Sequence, residues 1–241
     1  MEFTNQPAIT LGKLRRKEPV TILVVGDSNS VITFHTCGRM NWVGYLSEAL
    51  WATYGDDLVT MINTSRCGYN WTALADELES RVLRWKPDLV ILSLGLNDSR
   101  HGKEGLGPCL TAARSVITTI RGSVGAEVFL RTNNPVVYGY WEPRPEGARP
   151  GEACEHGEYA TLLYIQALLD LARELGCPVC DHYAAWKAKH YLFEQPSANP
   201  QGLRLRMNDV IHPNAIGQLA FFRELAPHFG VPMYFPWEEV Q

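Results

Sequence analysis

The chain has 241 residues, of which 46% are hydrophobic and 20% are charged, and its formal net charge is -4. This composition is typical of a globular protein with a full core, and the length fits one large α/β domain or two small ones. No broad basic excess is present, so nucleic acid is not expected as a partner. The best apolar run, at residues 89–96, is too short to cross a membrane, and we predict no membrane association.

Residues 1–19 lack the continuous apolar stretch of a secretory signal, so they are interpreted as a lead-in to the domain. The basic cluster Lys13 to Lys17 within them is expected to be solvated. Six cysteines are spread along the chain, and without an export signal they predict reduced thiols in a cytoplasmic protein. They are Cys37, Cys67, Cys109, Cys154, Cys177 and Cys180.

The pair Cys177 and Cys180 has the C-x-x-C spacing of a redox or metal-binding pair. No second pair is present to complete a zinc site of four ligands. We therefore interpret these two cysteines as structural.

Short apolar runs alternate along the chain with segments in which apolar residues recur at helical spacing. This pattern predicts strands at residues 20–25, 58–62, 89–94, 127–130 and 179–182, and helices at residues 41–54, 72–85, 109–121, 159–175 and 214–229. Strands that are joined by helices form a parallel sheet with helices on both faces. We predict a single domain over residues 1–241, with a flavodoxin-like α/β/α fold and the strand order 2-1-3-4-5.

One segment departs from this alternation. Residues 133–157 follow the fourth strand and contain four prolines and three large aromatic residues, among them Trp141. The segment is too long for a routine connection, and it leaves the sheet at the edge where open α/β sheets bind ligands. We predict a loop that faces the substrate.

Candidate site residues follow three of the predicted strands. Ser28 lies in the turn after the first strand, where it is either a helix cap or a nucleophile at the ligand-binding edge. Asn97 follows the third strand, and its amide is either a turn feature or a donor that stabilises an oxyanion. Gly68 follows the second strand and is either a turn glycine or a point where the backbone N–H approaches a ligand.

A serine nucleophile needs a base and a group that orients this base. Two histidines have an aspartate three residues earlier, in Asp98-x-x-His101 and Asp209-x-x-His212. His101 also follows the third strand and therefore lies at the correct edge of the sheet. Spacing alone does not choose between the two pairs.

Four motifs occur together in one order along the chain: Gly26-Asp27-Ser28, then Gly68, then Gly95-x-Asn97-Asp98, and finally Asp209-x-x-His212-Pro213. In this order and spacing, the chain resembles the SGNH (GDSL-type) hydrolases from about residue 20 to residue 229. The resemblance implies a serine esterase that needs no cofactor.

The resemblance also implies a role for each matching residue. Ser28 would be the nucleophile, His212 the base and Asp209 the group that orients it. The Ser28 N–H, the Gly68 N–H and the Asn97 side chain would form the oxyanion hole. The proline after His212 favours this histidine over His101.

Other positions depart from the family pattern or are assigned from their place alone. Asn29 stands where the family usually has leucine or isoleucine, and Ser65 where a glycine is common. We expect substrate contacts from residues beside the four motifs and in the long loop, namely Asp27, Asn29, Tyr69, His101 and Trp141.

The expected partner is a small ester. The aromatic and polar loops favour small acyl groups, and among the relatives the chain looks most similar to carbohydrate O-acetyl esterases. A lipid-type acyl esterase, lysophospholipase or thioesterase is the alternative within the family. A non-catalytic binding module on the same fold is the alternative outside it, and a homo-oligomer stays open.

Overall fold

The computed structural model describes residues 5–31, 34–136, 158–189 and 211–234. A five-stranded parallel sheet with the order β2-β1-β3-β4-β5 lies at its centre. The strands are β1 (Val20–Gly26), β2 (Val59–Asn63), β3 (Leu89–Ser93), β4 (Glu127–Arg131) and β5 (Val179–Cys180). The predicted sheet and strand order are therefore confirmed.

Both faces of the sheet are covered by helices. The helices are α1 (Ala8–Arg15), α2 (Trp42–Tyr54), α3 (Trp71–Asp76), α4 (Leu78–Arg81), α5 (Leu106–Val124), α6 (Glu158–Glu174), α7 (His182–Lys189) and α8 (Ala215–Phe229). Side chains of α1, α2, α7 and α8 pack on one face, and side chains of α3 to α6 pack on the other. Alternate residues of β1 enter the two cores, which is why its sequence is apolar throughout.

The chain adds β2 on one side of β1 and β3 to β5 on the other side, so the strand order reverses between β1 and β3. At this point Gly26 pairs with Ser93 in register. The helices that follow the two strands cover opposite faces of the sheet, and open α/β sheets bind their ligands at the carboxyl ends of such a strand pair. Three helices begin at this edge with an asparagine cap: Asn41 for α2, Asn70 for α3 and Asn214 for α8. In each, the side-chain oxygen accepts the N–H three residues later and so determines where the helix starts.

The lead-in segment contains the helix α1, which packs on the sheet. Leu11 and Leu14 of α1 are buried in the core, and Lys13 forms an ion pair with Asp88 at 2.6 Å. Lys13 nevertheless stays partly exposed, and Arg15, Arg16 and Lys17 are exposed, as expected for a solvated basic cluster. Apolar residues three positions apart on a short helix provide the packing face.

Two element boundaries also differ from the prediction. The helix predicted at residues 72–85 is divided into α3, α4 and a short 3₁₀ turn, with the first break at Glu77. The strand predicted at residues 179–182 ends at Cys180, because Asp181 accepts the N–H of Ala184 and starts α7.

The cysteines Cys177 and Cys180 are both buried, and their side chains lie in the cores on opposite faces of the sheet. This separation supports their interpretation as packing residues. Cys154 lies outside the described residues.

Candidate active site

The nucleophile candidate lies on a tight turn at the end of β1. Asp27 accepts the N–H of Asn29 at 2.9 Å, and residues Ser28–Ser30 form one 3₁₀ turn. A Cβ on Gly26 would lie 2.2 Å from the Ser30 hydroxyl and 3.1 Å from the Ser93 Cβ. Only glycine allows the chain to fold back this closely before Ser28.

Side chains from three further elements hold the carbonyl groups of this turn. Gln218 of α8 donates to the Asn29 carbonyl at 3.2 Å. Asn41 and Asn63 both donate to the Ser30 carbonyl, at 2.9 and 2.8 Å. Because the turn is bonded to α2, β2 and α8 at once, the backbone that carries Ser28 has little freedom to move.

The Ser28 hydroxyl lies 2.8 Å from Nε2 of His212, at hydrogen-bond distance. His212 precedes α8, whose capped start approaches the carboxyl end of β1. Asn134 connects the two segments: its oxygen accepts from the Asn29 amide at 3.5 Å, and its nitrogen donates to the Ile211 carbonyl at 3.3 Å. The arrangement is that of a hydroxyl with a base in reach of its proton.

A second histidine contacts His212. The ring of His35 stacks on the ring of His212, with the centroids 3.8 Å apart and the planes within 9° of each other. His35 is buried in the short turn Phe34–Thr36, which contacts α8.

The loops after β2 and β3 meet beside this pair. The Asn97 amide nitrogen donates to the Tyr69 carbonyl at 3.0 Å, so the third motif is tied to the loop that carries Gly68. Gly68 is exposed and has a φ of +72°, within a turn closed by the bond from the Tyr69 N–H to the Arg66 carbonyl. A Cβ at Gly68 would meet no atom, so the requirement for glycine comes from the backbone conformation.

Two carboxyl groups are buried around the turn. Burial raises the pKa of Asp27 to about 6, although the Asn29 N–H and the charges of Arg131 and His212 act in the opposite direction. Burial likewise raises the pKa of Asp98 to about 6, against the hydrogen bond from the Trp71 N–H. Both groups therefore titrate close to neutrality.

One buried cation lies beneath the turn. Arg131 at the end of β4 donates to the Ser93 hydroxyl at 3.0 Å, and its guanidinium lies over the rings of Trp42 and Phe221. Burial lowers the pKa of Arg131 to about 10, so the guanidinium stays charged at neutral pH.

Three of the five residues expected to contact the substrate have buried side chains in the structure. The side chains of Asp27, Asn29 and Tyr69 are buried, with at most 1% of each residue exposed, and they bond within the protein. We had placed them by their position in the motifs, but their side chains turn inward and support the loops.

The other expected residues have different outcomes. His101 is exposed at the rim of a pocket of about 490 Å³, beside Asn70 and Glu104. Trp141 and Asp209 lie outside the described residues, as does all of the predicted loop at residues 133–157 beyond residue 136.

Four supporting residues were missed at the sequence level: His35, Arg131, Asn134 and Gln218. Two of them had a usable signal. Arg131 is a charged residue at the end of a buried strand, and Asn134 follows that strand at the ligand-binding edge. His35 and Gln218 act through contacts between distant segments, which spacing does not reveal.

Within the part of the chain that the structure describes, no group of three or more His, Cys, Asp or Glu side chains could hold a metal ion. No helix there is long and apolar enough to span a membrane.

The model of the GDSL-like lipase/acylhydrolase family matches residues 24–220, which include all four motifs. The chain belongs to this family. The family prediction is thereby confirmed, and with it the class of carboxylic ester hydrolase. A comparison with curated proteins found no significant sequence match.

Solved structures with the same fold include members described as acetylxylan esterases. A catalytic mutant of Axe2 from Geobacillus stearothermophilus aligns with a TM-score of 0.68 and 18% identity, over 90% of this chain and 97% of that one. Unmutated Axe2 aligns with a TM-score of 0.64 and 19% identity, over 91% and 98%. The acetyl xylan esterase AlAXEase aligns with a TM-score of 0.65 and 19% identity, over 86% and 98%. At this level of identity, the likeness shows that this GDSL-type chain shares their fold.

Proposed function

We propose that this protein is a serine esterase that hydrolyses small acyl esters, specifically acetyl esters of carbohydrates. The observation that carries the proposal is the 2.8 Å contact between the Ser28 hydroxyl and Nε2 of His212. A serine beside a histidine nitrogen on a rigid turn is the minimum that acyl transfer requires.

In the proposed reaction, the Ser28 oxygen attacks the ester carbonyl while Nε2 of His212 takes its proton. His212 then gives that proton to the departing alcohol, which leaves an acyl-Ser28 intermediate. Water, activated by His212, attacks the intermediate and releases the acid and free Ser28. Asp209 is assigned the role of orienting His212 from the family motif.

The oxyanion of each tetrahedral intermediate would accept hydrogen bonds from the Ser28 N–H, the Gly68 N–H and the Asn97 side chain. The Asn97 nitrogen carries two N–H groups, and the bond to the Tyr69 carbonyl uses one of them. That bond also aligns the Asn97 amide with the loop of Gly68. Such fixed donors are each worth about 3 kcal/mol of the barrier.

The choice of acetylated carbohydrate is supported by the solved neighbours, which are described as acetylxylan esterases. A cytoplasmic location stays part of the proposal on the basis of the five cysteines in the described residues, which are free thiols.

The proposal is tested with a panel of acetylated xylo-oligosaccharides, acyl lipids, aryl acetate and aryl decanoate, together with labelling of Ser28 by a fluorophosphonate. We expect hydrolysis of acetyl sugars and aryl acetate, and labelling that is lost in Ser28→Ala. Preference for decanoate and lipids would favour the lipid-type alternative. Absence of both hydrolysis and labelling would favour a non-catalytic binding module.

A further inference from the structure

The His212 ring, the proposed base for Ser28, has a contact on one face that the proposed mechanism does not use. His35 lies flat against His212 at 3.8 Å, which is van der Waals contact over the whole ring. His35 belongs to none of the four motifs, and it reaches His212 from a turn that lies 177 positions earlier in the chain.

The hydrogen bond to Ser28 fixes only one property of the His212 ring. It directs Nε2 at the hydroxyl, but it tolerates rotation of the ring about the line between the two atoms. A parallel ring on the face of His212 restricts this rotation, because tilting would drive the two rings into each other. The two contacts act alongside the role that the family motif assigns to Asp209, and they restrict both the direction of Nε2 and the plane of the imidazole.

We propose that His35 is a positioning residue that holds the imidazole of His212 in the plane required for proton transfer with Ser28. This inference rests on the proposed function. The flat ring of His35 carries the effect through its parallel contact with the ring of His212.

The support for His35 is itself rigid. His35 and its neighbour Thr36 are both buried, and their turn contacts α8, the helix that follows His212. The turn of His35 and the segment of His212 are thus both attached to α8, which favours a constant distance between the two rings. This is the arrangement expected of a residue that acts through another one.

The test compares three substitutions at this position: His35→Phe, His35→Gln and His35→Ala. Phenylalanine keeps a flat ring, glutamine keeps polar atoms without a ring, and alanine keeps neither. We measure kcat and KM for aryl acetate and the rate at which a fluorophosphonate labels Ser28. Thermal unfolding of each variant shows whether it is folded.

We expect His35→Phe to stay within about threefold of the wild type, and His35→Gln and His35→Ala to lose about 10- to 100-fold in kcat and in labelling rate with KM little changed. If His35→Ala does not fold, the kcat values and labelling rates of His35→Phe and His35→Gln still test whether the flat ring is needed. Glutamine as active as phenylalanine, or alanine as active as the wild type, would overturn the inference and leave the proposed function intact. A wild-type protein that neither hydrolyses nor labels would overturn both.

Discussion

The guanidinium of Arg131 donates a hydrogen bond to the hydroxyl of Ser93 at 3.0 Å, and Ser93 is the register partner of Gly26 in β1. The Asp27 N–H donates in turn to the Ser93 carbonyl at 3.3 Å. A buried cation is thus connected through one residue to the turn that carries Ser28. Arg131 also lowers the pKa of Asp27, in opposition to the effect of burial.

Removing this cation should leave the Asp27 carboxylate buried without its compensating charge. We expect Arg131→Met to reduce the free energy of unfolding by about 3 kcal/mol at pH 8. Without Arg131 the pKa of Asp27 rises further, so the loss should be smaller at pH 5, where Asp27 is mostly protonated. Urea unfolding at the two pH values measures the difference.

The double variant Arg131→Met/Asp27→Asn is the control for this prediction. Asparagine keeps the oxygen that accepts the Asn29 N–H but carries no charge. The added substitution should recover part of the stability at pH 8 and little at pH 5. Equal losses at both pH values in the single variant would show that lost packing on Trp42 and Phe221, rather than charge, explains the effect.

Asp98 should make stability depend on pH in a defined direction. Its pKa is raised from 3.8 to about 6 in the folded state, so its contribution to stability is complete below about pH 4 and is lost as the pH rises through 6. This shift is worth about 2–3 kcal/mol. In Asp98→Asn the free energy of unfolding should fall less between pH 4.5 and 7.5 than in the wild type.

Urea unfolding of the two proteins at both pH values tests this, with Asp170→Asn as the matched control. Asp170 is exposed on α6, and its removal should leave the pH dependence of the wild type unchanged. If Asp98→Asn and Asp170→Asn have the same pH dependence, Asp98 is not the source of the effect.

The fold was predictable because its signals are local. β1 and β3 are apolar on both faces, as a central parallel strand requires, and the flavodoxin-like strand order is one of the two common orders of open α/β sheets. The break at Glu77 was not predictable in this way. The carboxylate of Glu77 binds Arg66, Arg81 and the Tyr69 hydroxyl, so the break occurs in a cluster of contacts with the preceding loop.

Of the site, only the residues that belong to the four sequence motifs could be predicted. The spacing of Asp-x-x-His fitted His101 and His212 equally, and the family pattern was needed to choose between them. The contact of Ser28 with His212 joins residues 184 positions apart. His35, Asn134 and Gln218 likewise reach the site through contacts between distant segments of the chain. Such contacts produce no recognisable pattern in the sequence.

The choice of base can be checked directly. His212→Ala should lose about three or more orders of magnitude in kcat/KM, since its nitrogen is in reach of the nucleophile. His101→Ala should retain most of the activity on aryl acetate, because His101 is exposed at the rim of a pocket. Steady-state kinetics of both variants test the choice of base. A large loss in His101→Ala with little loss in His212→Ala would refute the assignment of His212.

Asn134 should matter for rate through its bridge between the turn of Ser28 and the segment of His212. Asn134→Leu keeps the volume but loses the bonds to Asn29 and to the Ile211 carbonyl. We expect kcat for aryl acetate to fall about 10-fold through misplacement of the base, with KM nearly unchanged. An unchanged kcat in a folded variant would mean that the neighbouring contacts, among them Gln218 with the Asn29 carbonyl, position the pair without this bridge.

Gly68 allows the effect of backbone conformation to be separated from the effect of crowding. A Cβ at this position meets no atom, but the φ of +72° is unfavourable for alanine by about 1–2 kcal/mol. In Gly68→Ala the turn should relax and move the N–H that we assign to the oxyanion hole, which lowers kcat about 10-fold or more.

Gly122 in α5 is the matched control: it also has open space around its Cβ position but has no positive φ. Gly122→Ala should leave kcat unchanged and raise the free energy of unfolding by about 0.5–1 kcal/mol, since alanine is the better helix former. Equal kcat values in the two variants would remove Gly68 from the proposed oxyanion hole.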